Sequence, residues 1–201
     1  MAHDPRLIKP ATRPGKQFMF LTVGAALEKL PPYQRVLDIA CGRMALVPTF
    51  AGKDYIGVDG DESNLRFGRA KYPGTAAICG LIEELPPKLV GDLVLCLQCI
   101  GYNQYFKDEN TITCVNKLVE ATRVGGTLIL NLGTRVRGHF GSAEAVISDR
   151  FESVDVVRFG RFQTRLPTQV CVPLGYMMFY LPFLAKSSRN PERLYICRGR
   201  R

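Results

Sequence analysis

Between residues 35 and 132, short apolar runs alternate with stretches of helical spacing, and few architectures accept that pattern. The runs cover residues 35–40, 55–58, 75–79, 92–97 and 127–132. Each is short and nearly continuously apolar, which suits strands buried on both faces and not half-exposed antiparallel ones. Helical stretches are expected at 44–50, 62–72 and 108–123. Asp61 stands at the N-cap of the second, and Pro73 and Gly74 stop it. Gly125 and Gly126 are expected to end the third. Strand and helix in alternation imply βαβ units and a parallel sheet covered on both sides.

The pattern weakens on either side of this block. Residues 1–16 hold Pro5, Pro10 and Pro14 and read as an irregular arm. Residues 17–30 read as a helix stopped by Pro31 and Pro32. Beyond Leu132, a helix is expected at 142–148 and strands at 153–159 and 193–198. Residues 163–185 are apolar but interrupted by Pro167, Pro173 and Pro182. Two late strands without a clear helix between them suggest an antiparallel pair at a sheet edge. The expected fold is α/β: a doubly wound, mostly parallel seven-stranded sheet with an antiparallel edge strand. The expected organisation is a single domain, 1–201. It comprises an N-terminal arm and helix (1–32), a ligand-binding core (33–132), a substrate cap (133–192) and a final strand with a basic tail (193–201).

The chain has 201 residues, 46% of them hydrophobic and 22% charged, which fits one ordinary globular domain. The longest apolar run, 176–185, contains Pro182 and falls short of the roughly 20 residues of a membrane span. No apolar leader is seen after Met1, so no signal peptide and no membrane partner are expected. The seven cysteines are odd in number and irregularly spaced, which points to reduced thiols and a cytoplasmic location. Cys96 and Cys99 form a C-x-x-C. If the strand ran through both, their side chains would lie on opposite faces. His3 and His139 are far apart, and no metal site is expected.

Charge is unevenly spread. The total is +9, and residues 132–201 carry +7 of it, with 12 Lys+Arg against 5 Asp+Glu. Such a segment attracts anionic molecules, nucleic acid included, or is simply a solvated basic surface.

The chemistry centres on residues 36–42, Val-Leu-Asp-Ile-Ala-Cys-Gly. An apolar strand carrying Asp38 ends in a turn of small residues. Ligands of doubly wound sheets bind at the carboxyl ends of the strands, where small residues admit a close approach. The second strand ends at Asp59, 21 residues after Asp38, where a carboxylate can accept both hydroxyls of a ribose. A helix cap is the alternative use of Asp59. The turn 40–45, Ala-Cys-Gly-Arg-Met-Ala, is a poor match to the G-x-G-x-x-G of nicotinamide dehydrogenases, and no Walker-type phosphate loop is present.

Taken together, residues 33–132 resemble the class I S-adenosylmethionine-dependent methyltransferases. Residues 36–42 resemble the family's first motif, and Asp59 matches its ribose-binding acid. Residues 77–86 resemble the third motif, 92–97 the fourth strand, and 118–130 the helix, glycine turn and fifth strand. The resemblance implies S-adenosylmethionine as cofactor, with S-adenosylhomocysteine as product. It implies cofactor contacts from Asp38, Ala40, Cys41, Gly42, Asp59, Gly60, Leu81, Ile82 and Leu97. Two positions depart from the family pattern. Met44 replaces a usual glycine, and its side chain either enters the cofactor pocket or points into the core. Leu81 replaces an acid, leaving adenine to packing and backbone N–H groups near Ile82.

Gly101, Tyr102 and Asn103 follow the fourth strand, and Asn131, Arg135, Arg137 and His139 follow or end the fifth. Tyr102, Arg135, Arg137 and His139 are the candidate substrate residues. Tyr102 can orient or stack on an acceptor, the arginines can pair with an anion, and His139 is suited to base chemistry. No catalytic residue is assigned. The Asn/Asp-Pro-Pro-aromatic signature of amino-methylating nucleic-acid enzymes and the Pro-Cys of cytosine-C5 enzymes are missing after the fourth strand. The expected function is methyl transfer to a small molecule, anionic or neutral. An RNA methyltransferase using the basic last third, and a non-catalytic methyltransferase-like module, stay open beside it. Oligomeric state is not legible.

Overall fold

In a computed structural model of the chain, which describes residues 9–102, 108–160, 164–186 and 191–201, the alternating block folds as a seven-stranded sheet. His3 and Asn103 lie outside the described residues. The strands are β1 (Arg35–Ile39), β2 (Asp54–Asp59), β3 (Ala76–Cys79), β4 (Gly91–Cys96), β5 (Thr122–Leu132), β6 (Phe151–Phe159) and β7 (Glu192–Arg200). Their order is β3-β2-β1-β4-β5-β7-β6, with β1 to β5 parallel and the late pair making the sheet mixed. The helices are α1 (Pro14–Leu27), α2 (Glu62–Lys71), α3 (Thr111–Glu120), α4 (Phe140–Arg150) and α5 (Thr168–Tyr180).

The central strands follow their apolar runs. Leu37 and Ile39 on β1, Val94 and Cys96 on β4, and Leu128 and Leu130 on β5 are all fully buried. Each such side chain contributes about 1.5–3 kcal/mol relative to exposure. The carboxylate of Asp92 fixes the entry to the sheet, accepting from the backbone N–H of Gln34 at 2.9 Å and of Arg35 at 2.8 Å.

Three local expectations are corrected. The helical stretch expected at 44–50 shrinks at its start, because Ala40, Gly42 and Met44 all take left-handed conformations (φ 59°, 55° and 56°) and keep the chain up to Leu46 in turns. Only a short 3₁₀ segment, Val47–Phe50, follows them. The pair Gly125–Gly126 does not end α3. That helix stops at Glu120, and the hydroxyl of Thr122 donates back to the carbonyl of Leu118 at 2.8 Å. The glycines lie inside β5, at the register shift where β5 slips against Gly91 and Leu93 of β4. Finally, a helix does separate the late strands: α5 forms despite Pro173. Its buried positions Cys171, Gly175 and Met178 recur at helical spacing, so packing overrides propensity.

The chain divides into two compact units. One comprises residues 32–156 and 195–201 and holds β1 to β5 with α2, α3 and α4. The other comprises residues 1–31 and 157–194 and holds α1 and α5. Within it, Phe18 meets Phe159 with ring centroids 5.9 Å apart, and Gln17 occupies the space that a side chain at Gly175 would need. No helix among the described residues is long and apolar enough to cross a membrane.

Candidate functional site

The carboxyl ends of β1, β2, β3 and β4 open into a pocket of about 660 Å³. Its size suits a nucleoside-sized ligand. Sequence reasoning places nine residues there. Five of them, Ala40, Asp59, Gly60, Leu81 and Ile82, line it.

The other four are next to the pocket but are not among its lining residues. Asp38 is 3% exposed and accepts a hydrogen bond from the Tyr55 hydroxyl at 2.6 Å. Its carboxylate therefore braces the strand end from behind. Gly42 donates its N–H to Asp59 Oδ2 at 2.8 Å, tying the β1 turn to the end of β2. Cys41 is partly buried, and burial, with Asp38 and Asp59 nearby, pushes its thiol well above the ordinary range. Leu97 follows β4, whose last residue is Cys96.

Asp59 is the best-organised lining group. Besides the bond from Gly42, its Oδ1 accepts from the N–H of Asp61 at 3.0 Å. Asn64 Nδ2 also reaches Oδ1, at 3.4 Å, so three donors already meet a carboxylate with about four lone-pair sites, and a diol would have to displace this longest contact. Asp61 caps α2, accepting from Ser63 N–H at 2.8 Å, as its sequence position suggests. Those hydrogen bonds at Ser63 hold its carboxyl below the usual carboxylate range. Leu81 is 53% exposed and packs against Gly60, where an added Cβ would lie 2.9 Å from Leu81 Cδ2. A large apolar side chain left open on a pocket wall is a platform for a flat ring.

Met44 does not enter the pocket. It is fully buried, and a Cβ added at Gly68 of α2 would stand 2.5 Å from its sulfur. It fills the space between β2 and α2 and explains why Gly68 is glycine; at Gly57 the tight neighbour is Cys41 Sγ, 2.9 Å from an added Cβ, with Met44 at 3.4 Å.

Cys99 lines the pocket, in keeping with a reading of the C-x-x-C thiols as core or pocket lining. Sequence reasoning missed several other lining residues: Asn64, Glu83, Gln98 and Asn110 all face the pocket, and Asn110 Nδ2 donates to Glu83 Oε1 at 2.7 Å. Gln98 has φ 63°, a strained conformation for a non-glycine residue. Its N–H donates at 2.6 Å to Oδ1 of Asn131, a fully buried side chain on β5. This turn ends β4 before Cys99, so the two thiols of the C-x-x-C do not fall on opposite faces. The two thiols act on each other, which lowers the Cys99 thiol and raises that of Cys96, burial adding to the rise.

The other amide group of Asn131 holds Tyr102: Nδ2 donates to the Tyr102 hydroxyl at 2.5 Å. The exits of β4 and β5 meet here, where a Cβ on Gly133 would lie 2.5 Å from the carbonyl oxygen of Gly101. Arg135, Arg137 and His139 stand on the 3₁₀ segment Thr134–His139, the arginines exposed and the histidine half-buried. None of the three lines the pocket. No cluster of metal-ligating groups occurs among the described residues.

The pocket's charge is opposite to the chain's. Asp59, Asp61 and Glu83 line it, and among the described lining residues there is no Lys, Arg or His. In a protein of net charge +9, this concentrates negative potential at the ligand end of the sheet.

No family model matches the chain, and no curated protein is similar to it in sequence. Solved structures are similar in fold. The N-methyltransferase NodS from Bradyrhizobium japonicum WM9 superposes with a TM-score of 0.58 at 12% identity, over 93% of this chain and 94% of that one. A TehB-like S-adenosylmethionine-dependent methyltransferase from Corynebacterium glutamicum gives 0.59 at 11% identity, over 94% and 89%. An S-adenosylmethionine-dependent methyltransferase from Archaeoglobus fulgidus gives 0.58 at 13% identity, over 88% and 91%. Strand order, parallel core and the pocket at the strand ends lead to the same place as these likenesses: the chain has the fold of the class I S-adenosylmethionine-dependent methyltransferases.

Proposed function

We propose that the protein is an S-adenosylmethionine-dependent methyltransferase acting on a small-molecule acceptor. The observation that carries this reading is the acidic pocket built around Asp59. A nicotinamide dinucleotide brings a pyrophosphate and calls for donors at the first turn, whereas this pocket offers three carboxylates and no basic side chain among its described lining residues. A ligand with cationic sulfonium and ammonium groups suits that field. The NodS fold is also known with S-adenosylhomocysteine bound, which supports the choice of cofactor.

The residues present fit this cofactor. Asp59 would accept the ribose hydroxyls, with Gly42 and Asp61 holding its carboxylate in place. Leu81, packed on Gly60, and Ile82 would hold the adenine ring. Ala40 and the Gly42 turn would border the amino-acid portion, while Asp38, Cys41 and Leu97 would act from behind this wall. When bound, S-adenosylmethionine supplies an electrophilic methyl group on a positively charged sulfur.

The chain's own contribution is positional. Methyl transfer by in-line displacement needs donor and acceptor held in contact and aligned. Gln98 and Tyr102 are both locked by Asn131, so the segment after β4 is fixed before any acceptor arrives. Tyr102 would orient the acceptor. Arg135, Arg137 and His139 would meet its polar or anionic end, within the region 133–192 assigned to substrate. The seven cysteines are free, consistent with a reducing cytoplasm as the place of work.

The test is transfer of labelled methyl from S-adenosylmethionine to a metabolite panel and, in parallel, to bulk RNA. The reading expects label in a small molecule. Label confined to RNA, with affinity falling steeply as salt rises, would replace the acceptor class. Replacing Arg135 and Arg137 by alanine should raise the acceptor's KM and leave cofactor affinity unchanged. Lost cofactor binding in a folded double variant would show that the arginines serve the other ligand.

A further inference from the structure

From residue 166 to residue 185 there is no charged side chain, and the run is bounded by Arg165 and Lys186. Both bounding cations are exposed. This run holds α5 and the 3₁₀ segment Pro182–Leu184. One stripe of α5 packs inward through Cys171, Gly175 and Met178. A second stripe, at Val170, Pro173, Met177 and Tyr180, is exposed, and it continues into Leu181 and Phe183. Val170, Met177, Tyr180, Leu181 and Phe183 are 44–61% exposed. Five of the nine large apolar side chains exposed among the described residues thus fall within 14 positions.

A helix that is apolar on its outer as well as its inner face lacks the polar side of an ordinary surface helix. It needs an apolar phase outside the protein. At 13 residues α5 is about 20 Å long, too short to cross a hydrocarbon core of about 30 Å, so it can lie in an interface but not span it. The charge around it is complementary to one kind of interface. Residues 1–31 and 157–194, the unit that contains α5, hold 11 Lys+Arg against 3 Asp+Glu, a net of +8 out of +9. The remaining 132 residues carry +1. Lys9 and Lys16 crowd one ring in the same unit, with ammonium groups 4.9 and 5.6 Å from the centroid of Phe20.

We infer that α5 and the segment through Phe183 form a docking surface for an anionic lipid bilayer, with the exposed apolar stripe inserted at headgroup depth and the surrounding cations on the phosphates. Apolar insertion and basic attraction are the two signals that stable peripheral binding requires. An RNA partner would use the cations and leave the apolar stripe bare. A second copy of the chain would cover the stripe while bringing two +8 surfaces together.

Vesicle flotation tests the inference, using phosphatidylcholine alone and phosphatidylcholine with phosphatidylglycerol. The wild-type chain should float with the anionic vesicles, remain behind with the neutral ones, and be released by salt. Leu181→Ser with Phe183→Ser should reduce partitioning by at least about tenfold, through lost apolar burial. Arg165→Glu with Lys186→Glu should reduce partitioning by at least about tenfold as well, because each substitution removes a cation from the anionic surface and adds an anion. All four positions are exposed, so circular dichroism should be unchanged. A wild-type chain that ignores anionic vesicles overturns the inference, as do folded variants that float like wild type. Self-association lost in the Leu181/Phe183 variant, without vesicle binding, makes the stripe a subunit interface and also overturns it. So does RNA binding that needs the cations but not the apolar pair, again without vesicle binding.

Discussion

The two units of this chain use the same amino acids under different constraints. Residues 32–156 with 195–201 carry 16 Lys+Arg against 15 Asp+Glu, and most of their large apolar side chains are buried around a mainly parallel sheet, with Phe67, Leu81, Val124 and Val156 exposed at scattered positions. Residues 1–31 with 157–194 carry +8 and leave a row of large apolar side chains in the open. In the first unit, geometry dictates the residue: Met44 faces two glycines, and Asp59 is held by two N–H groups. In the second, α5 has one face that packing dictates and another that folding alone does not explain. A surface whose composition the fold does not require is where interaction with something else is to be sought.

Truncation separates the units most sharply. Met44→Ala should cost about 2–5 kcal/mol, because the void between β2 and α2 cannot collapse onto glycines. Met177→Ala, at a side chain 44% exposed, should stay within about 0.5 kcal/mol. Urea denaturation of both variants gives the comparison. Equal losses would mean that the α5 stripe is as much a part of the core as Met44.

A smaller effect is expected at the end of β4. Asn131→Ala leaves the Gln98 N–H without its acceptor in a left-handed turn, at a cost of about 1–3 kcal/mol. Tyr102→Phe leaves the Gln98–Asn131 bond intact and removes the hydroxyl that Asn131 Nδ2 holds. If Tyr102 orients the acceptor, the phenylalanine variant should lose kcat and retain cofactor affinity. A fall in both would make the network a general brace of the pocket.

A pH-dependent effect is expected in the basic unit. Burial, with Lys9 and Arg13 nearby, lowers the Lys16 ammonium from 10.5 to about 8, Glu192 opposing and Arg165 assisting. Between pH 8 and 10.5 the unfolded chain holds this proton and the folded chain sheds it. Stability should therefore rise with pH across that window, by this group's contribution. Lys16→Met should remove that rise, seen as the difference between the two chains' stability profiles. Identical profiles would place Lys16 in water.

Much of the first unit was legible because its physics is local. Apolar runs mark buried strands, and an acid after the second run marks the ligand end of the sheet. Met44 was not legible, since only the folded turn shows that φ 56° directs its side chain towards Gly57 and Gly68. Gln98 and Asn131 were missed for a similar reason: they are 33 residues apart and meet only through the β4–β5 pairing. Gly125 and Gly126 look like a helix stop until register places them in a bulge. In the second unit, three prolines hid a helix whose buried stripe becomes visible only against its own exposed one.

The central claim is that a carboxylate at the end of β2 organises a pocket for a cationic nucleoside cofactor. Calorimetric titration of S-adenosylmethionine into the wild-type chain and into Asp59→Ala tests it directly. The account predicts binding by the wild type and a loss of about 1.5–3 kcal/mol in the variant, roughly 10- to 150-fold in Kd, with Asp59→Asn in between. A wild-type chain that binds a nicotinamide dinucleotide in preference to S-adenosylmethionine, or a folded Asp59→Ala with unchanged affinity, would contradict it.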